Sequence, residues 1–156
     1  MTTFELLEDR HNYYVVSEIL KGGSVMNRLQ YIGQFPEDEV LRIIKQVAEA
    51  LQYLHFNSIA HRDIKLENIM FAEEDQDNLQ IKLIDFGFAE KFDRKKGMKI
   101  ILGSPLYMAP ELVAKEVYNE CIDVWALGII TYLLLSGLTP FQSHTIQQIH
   151  ENVLNK

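Results

Sequence analysis

The run His61-Arg62-Asp63-Ile64-Lys65-Leu66-Glu67-Asn68 constrains this chain more than any other stretch. It is a charged segment pinned between an apolar helical pattern and an apolar strand pattern, so the fold has to present it as a loop. Its residue types suit phosphoryl transfer to a hydroxyl. Asp63 can orient the acceptor hydroxyl and take its proton, and Lys65, two residues on, can reach the transferred phosphate. Asn68 and Asp85, the latter in Asp85-Phe86-Gly87, are oxygen donors able to share magnesium. Ala109-Pro110-Glu111 closes the segment. Asp63 and Asp85 stand 22 residues apart, and Asp85 and Glu111 stand 26 apart. Each motif alone is a weak signal, and the turn role common for a loop aspartate is the alternative for Asp63, which its position two residues before Lys65 and five before Asn68 outweighs. Three in this order make a strong one.

The flanking periodicity supplies the scaffold. Pro36-Glu37-Asp38-Glu39 has the proline and acids of a helix start. Val40, Ile44, Val47, Leu51 and Leu54 then recur at steps of four, three, four and three, which predicts one apolar helix face ending near Phe56-Asn57-Ser58. Phe4 to Leu7 and Tyr13 to Ser17 predict a hairpin with a polar turn. Gly22-Gly23 breaks the chain, and Ser24 to Ile32 predicts a short helix. Ile69-Met70-Phe71 and Ile81-Lys82-Leu83-Ile84 predict strands. The acidic run Glu73 to Asn78 between them lacks the ligand pattern of a calcium loop and predicts a solvated turn. Arg94-Lys95-Lys96 predicts a solvated basic stretch.

Composition excludes several classes. Apolar content of 47% and charged content of 24% fit one ordinary globular domain. A formal charge of −7 argues against nucleic acid as a partner. The most apolar stretch, Val124 to Leu135, is too short to span a bilayer and predicts a buried helix. The first residues lack a secretory pattern. The single Cys121 permits no internal disulfide; it reads as a small buried residue and fits a reducing, intracellular and cytoplasmic compartment. His11, His55, His61, His144 and His150 form no zinc spacing with it.

Taken together, the three motifs resemble the catalytic core of eukaryotic-type serine/threonine protein kinases. Leu133-Leu134-Leu135-Ser136-Gly137 ahead of Pro140-Phe141 is similar to the calcium/calmodulin-dependent and calcium-dependent group. The resemblance implies an α+β, protein-kinase-like fold: mainly a helical lower lobe (21–156), with a remnant hairpin of the upper-lobe sheet and the hinge (1–20). It implies ATP and Mg2+ as cofactors and protein substrates with a serine or threonine acceptor. It casts Asp63, Lys65 and Asn68 as catalytic residues and Asn68 and Asp85 as metal ligands. Val15 to Gly23 resembles the hinge that holds adenine, with backbone groups near Glu18 and Leu20 on the base edge, Ser17 guarding the pocket behind and Met70 as the apolar floor.

Further roles follow only from the resemblance. His61 packs under Phe86, Arg62 receives a phosphate on the activation segment, and Asp123 bonds backbone amides of the catalytic loop. Ser104 bonds the same loop, and with Lys65 it points to serine/threonine rather than tyrosine substrates. Glu67 reads a basic residue ahead of the acceptor. The sequence departs from the family at Leu66, where proline is usual, at Ser104, where threonine is usual, and at Ser24, where members preferring basic substrates carry a second acid.

The family's glycine-rich loop, strand lysine and partner glutamate are not among these residues, nor are its last helices. The resemblance therefore implies a partial domain, about three fifths of one of the order of 250 residues, nearly inactive by itself. A catalytically silent kinase-like binding or regulatory module shares every residue named. A small-molecule phosphotransferase of the aminoglycoside type fits Asp85-Phe86-Gly87 and Ala109-Pro110-Glu111 less well. Calcium-dependent regulation, if present, would act through regions outside these residues.

Overall fold

The computed structural model describes residues 1–75 and 77–155. Gln76, within the predicted acidic turn, and Lys156, the last residue of the predicted domain, lie outside the described residues. The chain opens with an antiparallel hairpin, β1 (Thr3–Glu8) and β2 (Tyr13–Ser17). Its turn is built locally: the Asp9 carboxylate accepts from the amides of His11 and Asn12 and from the Tyr14 hydroxyl. Three anchors tie the segment after β2 to the body. The amides of Lys21 and Gly22 donate to the carbonyls of Ala72 and Phe71, and Lys82 Nζ lies 2.6 Å from Glu18. Gly22 has no alternative here, because a Cβ would strike the backbone of Glu73 and the side chain of Phe71.

Helix α1 (Val25–Ile32) starts at Ser24, whose hydroxyl accepts the Asn27 amide while the Asn27 side chain returns the bond. This reciprocal cap satisfies two of the donors a helix start leaves open. The position where a second acid was considered is thus a helix cap. Helix α2 (Glu37–Phe56) follows with Pro36 as its N-cap and acids in its first turn. Its buried stripe is Val40, Ile43, Val47, Leu51 and Leu54. The structure corrects one position: Ile43, not Ile44, is fully buried, and Ile44 packs at the edge of the core. Both side chains fall within the apolar stripe, and only the angle at which α2 meets its neighbours decides between them.

Strand β3 (Ile59–Ala60) leads into the charged loop, and a one-turn 3-10 helix (Leu66–Asn68) leads out of it into β4 (Ile69–Phe71). β4 pairs antiparallel with β5 (Ile81–Leu83), in register Ile69↔Leu83, Met70↔Lys82 and Phe71↔Ile81. β6 (Glu90–Lys91) returns to pair with β3, setting Glu90 opposite Ala60. After a short α3 (Pro110–Val113), the long α4 (Cys121–Ser136) crosses beneath the loop, and α5 (Ile146–Asn155) ends the described chain.

The main core joins α1, α2, α4 and the β4–β5 hairpin, with Ile43, Val47, Ile69, Ile130 and Leu134 sealed from solvent. Each such side chain contributes about 1.5–3 kcal/mol through burial. A second cluster of Ala60, Phe92, Met98, Leu112, Tyr118 and Ile122 lies under β3 and β6. Trp125 touches both.

Two expectations about α4 are corrected. The helix is not buried all round: Val124, Tyr132 and Leu135 are exposed. Cys121 is exposed as well. It is the first residue of the helix, where Ile122 and Asp123 turn inward and leave it on the outer side. The basic stretch Arg94-Lys95-Lys96 is exposed as expected. Among the described residues no helix is long and apolar enough to cross a membrane.

Candidate active site

The loop after β3 is polar yet buried, so its backbone and charges need partners within the protein. Asp123, at the start of α4 and 1% exposed, supplies two acceptors. Its two carboxylate oxygens accept the amides of His61 and Arg62, each at 2.9 Å, and His55 Nε2 lies 2.8 Å from the same group. These bonds hold Arg62 at φ 67°, a left-handed conformation costly for a residue with a side chain. Gly103 packs against the far side of this bend. Its φ of 114° and the 3.0 Å a Cβ would have to the Arg62 carbonyl leave room for glycine alone.

His61 is fully buried. Its Nε2 lies 3.3 Å from the Ile84 carbonyl, and its Nδ1 accepts the Asp63 amide at 3.3 Å. Both contacts are met by a neutral ring with its proton on Nε2. Burial pushes the imidazole below its usual range, against the opposing pull of Asp123. The ring sits 4.9 Å from that of Phe86, the contact expected from the sequence.

Asp63 is the convergence point. Lys65 Nζ stands 2.6 Å from Oδ2, the Ser104 hydroxyl donates to Oδ1 at 3.0 Å, and Asn68 Nδ2 donates to the Asp63 carbonyl at 2.9 Å and to Oδ2 at 3.2 Å. Lys65 also reaches the Ser104 hydroxyl at 3.3 Å. Two residues of the same loop and the distant Ser104 therefore fix one carboxylate. Tyr107 packs beside them, its hydroxyl held well above the ordinary range by burial and by the nearby Glu67 charge.

Asn68 and Asp85 are brought together by the β4–β5 ladder, whose last bond runs from the Ile84 amide to the Asn68 carbonyl at 2.9 Å. Asp85 is exposed and has φ 59°, and one of its oxygens accepts the Gly87 amide at 3.1 Å. The amide nitrogen of Asn68 is spent on Asp63, so its side-chain oxygen is the atom left to accept. An amide oxygen and a carboxylate fit a hard, oxygen-seeking cation such as Mg2+. Among the described residues no group of three or more His, Cys, Asp and Glu side chains forms a metal cage. Magnesium takes few protein ligands and completes its shell from phosphate and water.

The hinge candidates lie on the neighbouring edge. Leu20 and Met70 are half-buried, and Met70 bridges to Ser24. The Glu18 amide donates to the Thr2 carbonyl at 3.0 Å. Its carboxylate takes Lys82 and the Thr2 amide, which lower its pKa to about 2. The side chain thus ties this segment to Lys82 on β5 and to Thr2.

Sequence reasoning missed two partners. Lys82 as the counter-charge of Glu18 carries no local signal. The second is Glu90: Arg62, which the resemblance casts as receiving a phosphate, has a carboxylate beside it. Its Nη1 lies 2.6 Å from Glu90 and 3.2 Å from the Tyr118 hydroxyl, and its Nε donates to the Phe88 carbonyl at 2.6 Å.

The protein kinase domain family matches residues 1–156. Calcium-dependent protein kinase 4 of Plasmodium berghei is 38% identical over 153 residues, covering 98% of this chain and 29% of the relative. A probable serine/threonine-protein kinase, fhkC, of Dictyostelium discoideum is 37% identical over 97% of this chain and 26% of its own length. Human serine/threonine-protein kinase H2 is 37% identical over 96% of this chain and 39% of its own length. The chain thus spans between about a quarter and two fifths of these curated relatives.

Proposed function

The chain belongs to the protein kinase family, and we propose that it carries the catalytic and metal-holding residues of a serine/threonine kinase, which moves the γ-phosphate of ATP to hydroxyls of protein substrates. Asp63 orients the acceptor hydroxyl and receives its proton. Lys65 offsets charge on the oxygens of the group in transit, and Ser104 keeps Asp63 aimed. Asn68 and Asp85 would hold Mg2+, which when bound offsets phosphate charge. Backbone groups of Glu18 and Leu20 take the adenine edge, and Met70 lies under the ring. In this reading residues 1–20 are hairpin and hinge of the upper lobe, and residues 21–156 are lower lobe. Calcium dependence, named in the Plasmodium relative, would act through other regions. A reducing intracellular compartment suits a chain with one cysteine.

The observation that carries the reading is the meeting of Lys65, Asn68 and Ser104 on Asp63. The neighbouring loop position of Lys65 favours a serine or threonine acceptor. A titration with a fluorescent ATP analogue tests the metal site: binding should require magnesium and drop in Asp85→Ala. Equal binding by that variant refutes it. Phosphotyrosine as the main product on mixed peptide pools, once the upper lobe of a related kinase is grafted on, refutes the substrate class.

A further inference from the structure

Arg62 sits one residue before Asp63, is 7% exposed at its side chain, and carries a permanent charge. A buried guanidinium without an anion is strongly destabilising. The structure meets this need internally. β6 pairs with β3 so that Glu90 stands opposite Ala60, next to the loop, and its carboxylate reaches Arg62 Nη1 at 2.6 Å. Tyr118 completes the arrangement, taking Arg62 on its hydroxyl and giving its own proton to the Ile100 carbonyl.

A second observation comes from the sequence. From Phe86 to Gly103 there is no serine, threonine or tyrosine. The first hydroxyl after Asp85 is Ser104, which is already spent on Asp63. The next two, Tyr107 and Tyr118, are 6% and 3% exposed. The segment that faces Arg62 thus offers no free hydroxyl on which to build a phosphate.

We propose that Glu90 is a positioning residue: its carboxylate is the resident anion of Arg62 and sets the loop bearing Asp63 without covalent modification of the segment. The charge is written into the chain, so the loop is fixed whenever β3 and β6 pair. The proposal rests on the kinase reading only in taking Asp63 as the reacting carboxylate.

The test is rescue by inorganic phosphate, which reads the Arg62 site and needs no phosphoryl transfer. Failure of rescue is therefore separable from failure of the magnesium–nucleotide test. Melting temperatures are measured in chloride and in phosphate at equal ionic strength for the unchanged chain, Glu90→Ala, Glu90→Asp and the adjacent exposed Lys91→Ala. Glu90→Ala should melt lower in chloride. At phosphate roughly ten times its apparent Kd it should regain about 3–6 °C. The unchanged chain and Lys91→Ala should respond little, and Glu90→Asp should fall between. Hydrogen exchange at the Arg62 and Asp63 amides should quicken in Glu90→Ala and slow again with phosphate. If Glu90→Ala does not fold, the near-isosteric Glu90→Gln is scored on the same phosphate-dependent exchange. No selective response in the variant, or an equal response in the unchanged chain, overturns the proposal.

Discussion

The loop from His61 to Asn68 and the hairpin of β1 and β2 invert the usual relation between polarity and burial. Six of the eight loop residues are buried although the run is charged. Every residue of β1 and the first four of β2 are exposed although Phe4, Leu6, Leu7, Val15 and Val16 are apolar. The loop tolerates burial because each polar group has a fixed partner: Asp123 for the bend, Glu90 for Arg62, Lys65 and Ser104 for Asp63. The hairpin is held by its own ladder and by a few bonds near Glu18. Its apolar faces are surface that another element or partner can cover, and its edges are open to pairing. The loop is thus fixed by partners from the body, whereas the hairpin is attached by few bonds beyond its own ladder.

The largest test of this contrast removes the anchor. Asp123→Ala leaves two buried amides and a buried bend without acceptors, and it should cost about 3–5 kcal/mol by denaturant titration. Asp123→Asn, which keeps one acceptor oxygen, should cost less. A change under 1 kcal/mol, a small surface-type effect, would mean that the loop holds itself.

Next is acid. His61 takes up a proton less readily folded than unfolded, because burial disfavours the imidazolium. Its contribution is complete above the unfolded value of about 6.5 and is lost as pH falls through the lower folded value. Glu18 titrates in another window. Its depressed pKa of about 2, set mainly by Lys82, preserves the attachment of this segment above the ordinary 4.5, and that attachment weakens as pH falls from there toward 2. Melting and amide exchange against pH should show the loop of residues 61–68 loosening first and the segment at Glu18 later. The reverse order would break the comparison.

A smaller effect is expected at Glu18 itself. Glu18→Gln should raise exchange at the hairpin amides and leave those of residues 61–68 unchanged. Smallest of all, Leu6→Ser on the exposed hairpin should change global stability by no more than about 0.5 kcal/mol, while reducing self-association measured by light scattering. A loss near that of Asp123→Ala would show that the hairpin belongs to the same cooperative unit.

Much of this was legible in the sequence because it is local. The helix of α2 follows from apolar steps of three and four, the β4–β5 hairpin from two short apolar runs around an acidic turn, and the α1 start from Ser24. The ordered motifs marked Asp63, Lys65, Asn68 and Asp85, and the structure brings Lys65 and Asn68 onto Asp63 and sets Asn68 beside the end of β5. The choice of Ile43 over Ile44 was not legible, since both fit the stripe. Nor was the exposure of Cys121, which depends on where the first turn of α4 points.

By itself the sequence determined the element types, the family resemblance and the candidate reacting residues, since periodicity and motif spacing are properties of neighbouring positions. Tertiary structure alone decided which charges meet. Glu18 finds Lys82 across 64 residues, Asp123 finds His61 across 62, and Arg62 finds Glu90 only because β6 returns to β3. Such pairs depend on two distant backbone paths arriving within 3 Å, and side-chain electrostatics changes steeply over that distance. Arg62 shows the consequence: the sequence names an arginine in want of an anion, and only the fold shows that the chain has already provided one.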